Sequence, residues 1–192
     1  MPDARDGYPL VQRLLDGLER WVAKREGYRH IGDGDYILRF KVSRYRRARH
    51  VLKDGTVLNP GDPIGELHMD NRFAAALHED GAGAFRFRRE IFRVFPALAR
   101  DLANRPEYRD IQAVGGASLF WRTGGLAARL GFEHQRLPGF TRWWLGTWER
   151  ILLAAYHPEG LRRLGQGRRA ELEQIWITRR ALERFLKPTK SR

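Results

Sequence analysis

No cysteine occurs among the 192 residues, which excludes disulfides, thiolate metal sites and cysteine nucleophiles. Lysine is almost as scarce, with 5 residues against 31 arginines, and acidic residues are the minority charge, 23 against 36 basic. The formal charge of +13 and the pI near 10.9 favour a polyanionic or phosphate-bearing partner. Arginine in such excess, beside abundant alanine, glycine and leucine, is also what a GC-rich coding sequence yields, so charge by itself selects no partner. No run approaches the ~20 consecutive apolar residues that cross a bilayer. Nor does the start resemble a secretory signal, because residues 1–7 carry Asp3 and Asp6 in place of a basic start and an apolar run. These absences predict a cytoplasmic protein, with peripheral attachment to the inner membrane face left open.

What is present suits one globular domain. Hydrophobic residues make up 42% and include six tryptophans and ten phenylalanines, enough bulk for one core. A single α+β domain is expected over 8–187, with 1–7 and 188–192 as flexible termini.

Apolar spacing lays out the elements. Pro9 suits a first helical turn, and Leu10, Leu14, Leu18, Trp21 and Val22 follow at helical intervals, predicting a helix over 9–24. Tyr36, Leu38, Phe40 and Val42 then alternate with Ile37, Arg39, Lys41 and Ser43, which predicts a strand showing basic side chains to solvent. Asp54-Gly55 predicts a two-residue hairpin turn with positive φ at both positions. Pro60-Gly61 predicts a type II turn into a strand from Ile64 to Met69, completing an antiparallel meander over 36–69. A short helix capped by Asp70 or Asn71 is expected through Leu77, followed by a long helix with Ile91, Val94, Phe95, Leu98 and Leu102 on one face. Pro96 predicts a bend or restart within it. Ile111 to Val114 reads as a buried strand, Gly115-Gly116 as a turn or bulge, 123–130 as a short helix ended by Gly131, and 132–137 as another strand. Thr141 starts a helix with Trp144, Trp148, Ile151 and Leu152 inward and Trp143 outward. Ile175-Trp176-Ile177 is a last buried strand, and Thr178 opens a helix with Leu182, Phe185 and Leu186 inward.

Three constellations carry chemistry. From Gly81 to Gln135 the order of turn, amphipathic helix, apolar segment and Arg129-Leu130-Gly131-Phe132-Glu133 resembles the acyl-CoA-binding half of a GNAT-type N-acetyltransferase. That resemblance implies an α+β fold with a helix-strand-helix-strand unit. It also implies acetyl-CoA or acyl-CoA bound through Gly81, Gly83 and Ala84, whose peptide N–H groups and helix dipole suit a pyrophosphate, with Arg86 and Arg89 beside them. Two departures stand out: residues 71–80 separate the strand from the turn, and Ala127 occupies the place of the tyrosine that often protonates the leaving thiolate.

Glu66 and His68, two apart at a strand end, share one face and supply a base for an amine or hydroxyl acceptor, with an amine-bearing glycan or lipid as the expected substrate. His68 bonding at a strand end and Asp70 capping a helix is the competing structural role. No ligand spacing predicts a metal site. Arg39, Lys41, Arg44, Arg46, Arg47 and Arg49 form a basic tract without an acidic residue, suited either to nucleic acid or anionic membrane, or to a solvated sheet edge. Trp143 and Trp144 beside Arg142 are a further candidate for a lipid surface.

Ordered fragments across most of the chain resemble the YkoP-like family. They are Tyr45-Arg46, Leu52-x-Asp54-Gly55-Thr56, Gly61-Asp62-x-Ile64-Gly65-Glu66-Leu67-His68-x-Asp70-Asn71, Arg89-Glu90-Ile91, Leu130-Gly131-Phe132, His157-Pro158-x-Gly160-Leu161 and Ile175-Trp176-Ile177-Thr178. The resemblance implies an envelope or sporulation context, sometimes beside polysaccharide deacetylases, and transfers no reaction. Two readings therefore stand: an acyltransferase-like, envelope-associated protein, or a non-catalytic basic module.

Overall fold

Alternating burial and hydrogen-bond register build one mixed sheet across most of the chain. The computed structural model describes residues 14, 17–18, 20–21, 24–70, 83–118, 126–156 and 173–186. Strands β1 (Arg29–His30), β2 (Leu38–Arg44), β5 (Pro63–Met69), β6 (Ala113–Ser118), β7 (Glu133–Arg136) and β8 (Glu173–Thr178) form a six-stranded sheet in the order β1-β2-β5-β6-β8-β7. Strands β3 (His50–Val51) and β4 (Val57–Leu58) form a separate hairpin. Helices α1 (Gly83–Asn104), α2 (Leu126–Leu130), α3 (Gly139–Tyr156) and α4 (Arg179–Glu183) complete the α+β architecture.

The two sheet faces differ in character. On one, Leu38, Phe40, Val114, Ile175 and Ile177 pack with Ile91, Val94, Phe95, Leu98 and Leu102 of α1, the apolar stripe expected for that helix. Each large aliphatic buried here contributes about 1.5–3 kcal/mol of transfer free energy. The other face is divided. Tyr45, Leu52, Leu58, Ile64, Ala113 and Trp176 make a small apolar cluster under the β3–β4 hairpin, and polar side chains occupy the rest.

Local chemistry explains several details that spacing alone did not. The helix α1 runs uninterrupted through Pro96. In the β3–β4 turn only Gly55 has positive φ (87°), and its N–H donates to the Leu52 carbonyl at 2.9 Å. The loop is thus longer than two residues, closed by a left-handed glycine. Gly61 (φ 95°) does follow Pro60, and Asp62 N–H donates to the Asn59 carbonyl at 3.0 Å, as a type II turn requires. Gly115 and Gly116 are not a turn: they lie within β6, where a Cβ on Gly115 would meet the Ile175 carbonyl oxygen and the Trp176 ring, each at 2.4 Å. Trp144 is 61% exposed and not inward, and Leu186 is also exposed. Thr178 caps α4 as expected, accepting from Ala181 N–H at 3.1 Å.

Several expected features fall outside the described residues: most of the 9–24 helix, the 71–77 helix, the Gly81-Ala82 turn, His157-Pro158 and both extreme termini. Leu14, Leu18 and Trp21, which are described, have helical backbone and are exposed.

Candidate active site

The sheet's polar face is organised by register. Lys41 lies opposite Glu66, Glu66 opposite Gly115, Gly115 opposite Trp176 and Trp176 opposite Glu133, giving one row that crosses five strands. Two residues along, Arg39 lies opposite His68, and Ala117, Gln174 and Gln135 continue that level on the far side of β5. Because side chains alternate, both rows project from the same face.

Beyond Leu67 and Gly116 the β5–β6 ladder opens. β5 pairs with β2 over seven positions, and β6 pairs with β8 over six. The parallel β5–β6 seam has only Gly65 opposite Val114 and Glu66 opposite Gly115. His68 and Met69 therefore have no partner in β6, and Ala117 and Ser118 have none in β5. The glycines of β6 make the close approach before that opening possible, since a Cβ on Gly116 would stand 2.8 Å from the Leu67 carbonyl oxygen.

Charges on this face are largely paired. Lys41 Nζ donates to Glu26 at 2.6 Å, stands 3.0 Å from the Glu66 carboxylate and lies over the Tyr28 ring at 4.6 Å. Arg39 Nη2 donates to Asp70 Oδ2 at 2.5 Å. The Tyr28 ring sits 5.0 Å from the His68 ring, closing the site on the β1 side. The expectation that β2 shows its basic side chains to water is corrected here: Arg39 and Lys41 are 17% and 14% exposed at the side chain. Acidic partners that are distant in sequence draw them down onto the sheet.

Titration follows from that setting. Burial pulls the His68 imidazole below its ordinary value, with Arg39 and Lys41 adding to the effect against Asp70 and Glu66. It is neutral at pH 7 and able to accept a proton. Burial and the neighbouring Glu66 carboxylate push the Tyr28 phenol up to about 12. Burial alone would lower Lys41, but hydrogen bonds to Glu26 and Glu66 outweigh it and hold the ammonium above its ordinary value.

One arginine reaches over this face from outside the sheet. Arg47, on the loop after β2, donates through Nη2 to Gln174 Oε1 at 3.4 Å. Its Nη1 and the Nε of Arg39 are buried without a hydrogen-bond partner among the described residues. Burial lowers the Arg47 guanidinium from its ordinary value, while Tyr45 and Glu66 act to raise it. Beside it, Gln135 Oε1 accepts from Trp176 Nε1 at 2.8 Å, which fixes the wall of β7 and β8.

The structure thus brings Glu66 and His68 together with Arg39, Lys41 and Arg47. It separates these from Arg46 and Arg49, which are exposed, and from Arg44, which donates to the Gly61 carbonyl at 3.0 Å. Gly83 and Ala84 begin α1, with Arg86 and Arg89 following in its first turns, and Arg89 stands 3.7 Å from Glu90. Gly81 lies outside the described residues. Sequence reasoning missed Tyr28, Gln135, Gln174 and the open seam. Only the parity of Glu66 and His68 hinted at this face, because register with strands distant in sequence is not written in local spacing. Among the described residues, no three His, Asp or Glu side chains group to hold a metal ion, and no helix is long and apolar enough to cross a membrane.

No curated protein and no solved structure matches this chain. A family model, the YkoP domain, matches residues 9–185. With nearly the whole chain covered, including every strand that builds the polar face, the protein belongs to the YkoP domain family.

Proposed function

We propose that the protein is an acyltransferase that accepts an acyl group from acyl-CoA and delivers it to an amine or hydroxyl held on the polar sheet face. The observation that carries this reading is the parallel β5–β6 seam, paired at two positions and then open beside Glu66 and His68. Backbone N–H and C=O groups along an opened seam suit an extended amide-bearing ligand, which bonds to strand edges as a further strand would. The pantetheine arm of CoA has that chemistry. The chain order β5, α1, β6 around the seam supports this reading, with the Gly83 end of α1 following β5 in the chain.

The roles of the protein groups follow from their positions. A bound acyl-CoA supplies a thioester carbonyl activated toward attack. His68, neutral and on the rim of the opening, takes the proton that the acceptor loses as its new bond to the acyl carbon forms. The carbon–sulfur bond breaks, and the departing thiolate is protonated from water. Glu66 is held by Lys41 at 3.0 Å and is a positioning group for the acceptor's polar atoms.

The test is a pair of measurements on the full chain. Acetyl-CoA raises the melting temperature in a saturable way, and acetyl-CoA with an amine panel releases free thiol. Absence of both effects removes the acyltransferase reading.

A second reading is favoured by a separate observation. Phe140, Trp143 and Trp144 are 78%, 63% and 61% exposed at the start of α3, and the Trp143 ring centroid lies 6.2 Å from that of Phe140 and 6.4 Å from that of Trp144. Three exposed aromatics on one helical face, on a chain of charge +13, suit peripheral contact with an anionic membrane. This surface replaces β2 as the membrane candidate, and it is compatible with catalysis elsewhere.

A further inference from the structure

We infer that the acceptor substrate carries an oxyanion, a carboxylate or phosphate, a few bonds from its nucleophilic atom, and that Arg47 binds it. This deepens the acyltransferase reading and rests on it.

Three observations converge. Arg47 reaches from the loop after β2 to β8, where Gln174 accepts its hydrogen bond at 3.4 Å, and the Glu66 charge acts to hold it protonated. The register places Ala117 opposite Gln174 and Gly115 opposite Glu66, so β6 offers only small side chains on this face next to that contact. Its Nη1 is buried without a hydrogen-bond acceptor among the described residues.

A buried donor on a cation is costly to leave without an acceptor, so such a group is suited to receive a ligand oxygen. Arg39 Nε, on the same face, is a second such donor. Glu26 and Glu66 are already engaged by Lys41, and Asp70 by Arg39, so these carboxylates are committed elsewhere. A guanidinium fork matches a carboxylate or phosphate in two-point geometry. An anion held there shares the sheet face of His68 and Glu66, with its amine or hydroxyl directed toward the open seam. A neutral acceptor leaves Nη1 unsatisfied, and site selectivity follows from that difference.

The experiment uses three small amines of matched length: ethanolamine, β-alanine and O-phosphoethanolamine, at constant ionic strength. Thermal shift is read without acetyl-CoA, and thiol release with it. β-Alanine or O-phosphoethanolamine raises the melting temperature in a saturable way and ethanolamine does not. That shift is lost in Arg47→Gln and reduced in Arg47→Lys, while the exposed Arg46→Gln keeps it. Ligand-free melting and circular dichroism establish that each variant is folded. In the thiol assay the better anionic amine exceeds ethanolamine at least tenfold in kcat/KM. A shift equal for all three amines, or one that survives Arg47→Gln, overturns the inference. An acetyl-CoA shift without an anion shift also overturns it while sparing the acyltransferase reading. An Arg47-dependent anion shift with no acetyl-CoA effect or thiol release upholds the oxyanion site and sinks the transfer chemistry.

Discussion

At the scale of single residues, His68 is the most informative side chain. Its native proton affinity is lowered, so the folded state binds fewer protons than the unfolded chain below the ordinary histidine value of 6.5. The neutral imidazole's contribution to stability is whole above that value and is lost as pH falls toward the lowered native value. Urea unfolding at pH 7, 6 and 5 should show this decline, and His68→Gln should flatten it. Identical slopes for both proteins would mean that the ring is not held neutral by burial. Under the acyltransferase proposal the same substitution lowers kcat/KM by roughly 10²–10⁴, the usual worth of a positioned base, and removes the acid limb of the pH–rate profile, which lies below 6.5.

The Arg39–Asp70 pair makes a second prediction at this scale. Both side chains are under a fifth exposed, so Arg39→Ala removes a charged partner from a carboxylate in a partly dry site. The expected loss is about 1–3 kcal/mol, below the figure for a fully buried pair. A double-mutant cycle with Asp70→Asn measures it. Coupling near zero would place the pair among ordinary surface ion pairs.

At the scale of elements, the β6 glycines test the seam. Gly115→Ala drives a Cβ into the Ile175 carbonyl and Trp176 ring, so strands must part, at a cost of about 1–3 kcal/mol read as a lower melting temperature. Gly55→Ala meets no atom within 4 Å but strains a left-handed turn, and should cost about 1 kcal/mol. If the two cost the same, steric contact in β6 is not what demands glycine. Thr178 joins two elements, donating to Asp54 Oδ2 at 2.7 Å while capping α4. Thr178→Ala should lose about 1–2 kcal/mol and Thr178→Ser most of that less, judged by urea midpoints.

Elements were legible in the sequence where one local rule decided them. Five apolar residues at helical spacing gave the inner face of α1, and Thr178 with Leu182 gave the start of α4. Thr141 was less informative, because α3 begins at Gly139. Trp144 was misjudged since helical spacing states which residues share a face but not whether anything covers it. The basic stripe of β2 misled for a related reason: its acidic partners Glu26, Glu66 and Asp70 come from other segments, and only register brings them together. Of the candidate site, Glu66 and His68 were legible as a pair. Arg47 reaching Gln174, 127 positions away, was not.

At the scale of the molecule, the positive charge has two separate addresses. Part is neutralised on the sheet face, and part remains on exposed arginines such as Arg46 and Arg49. The exposed aromatics of α3 lie on another element altogether. Vesicles containing anionic lipid should therefore retain the protein more than zwitterionic ones, with binding that weakens as salt rises. Trp143→Ala with Trp144→Ala should reduce co-sedimentation several-fold, and Arg46→Ala with Arg49→Ala much less. The reverse order would return the membrane assignment to the β2 loop.

The uneven stitching of the sheet also has a mechanical consequence. Seven register pairs bind β5 to its neighbour on one side and six bind β6 on the other, with two between. Such a sheet behaves as two stiff plates joined along a crease, and bending is confined to that line. Breathing of the molecule then changes the width of one slot and little else. Deuterium exchange should be fastest there among the strands, and whatever fills the slot should act as a wedge that locks both plates.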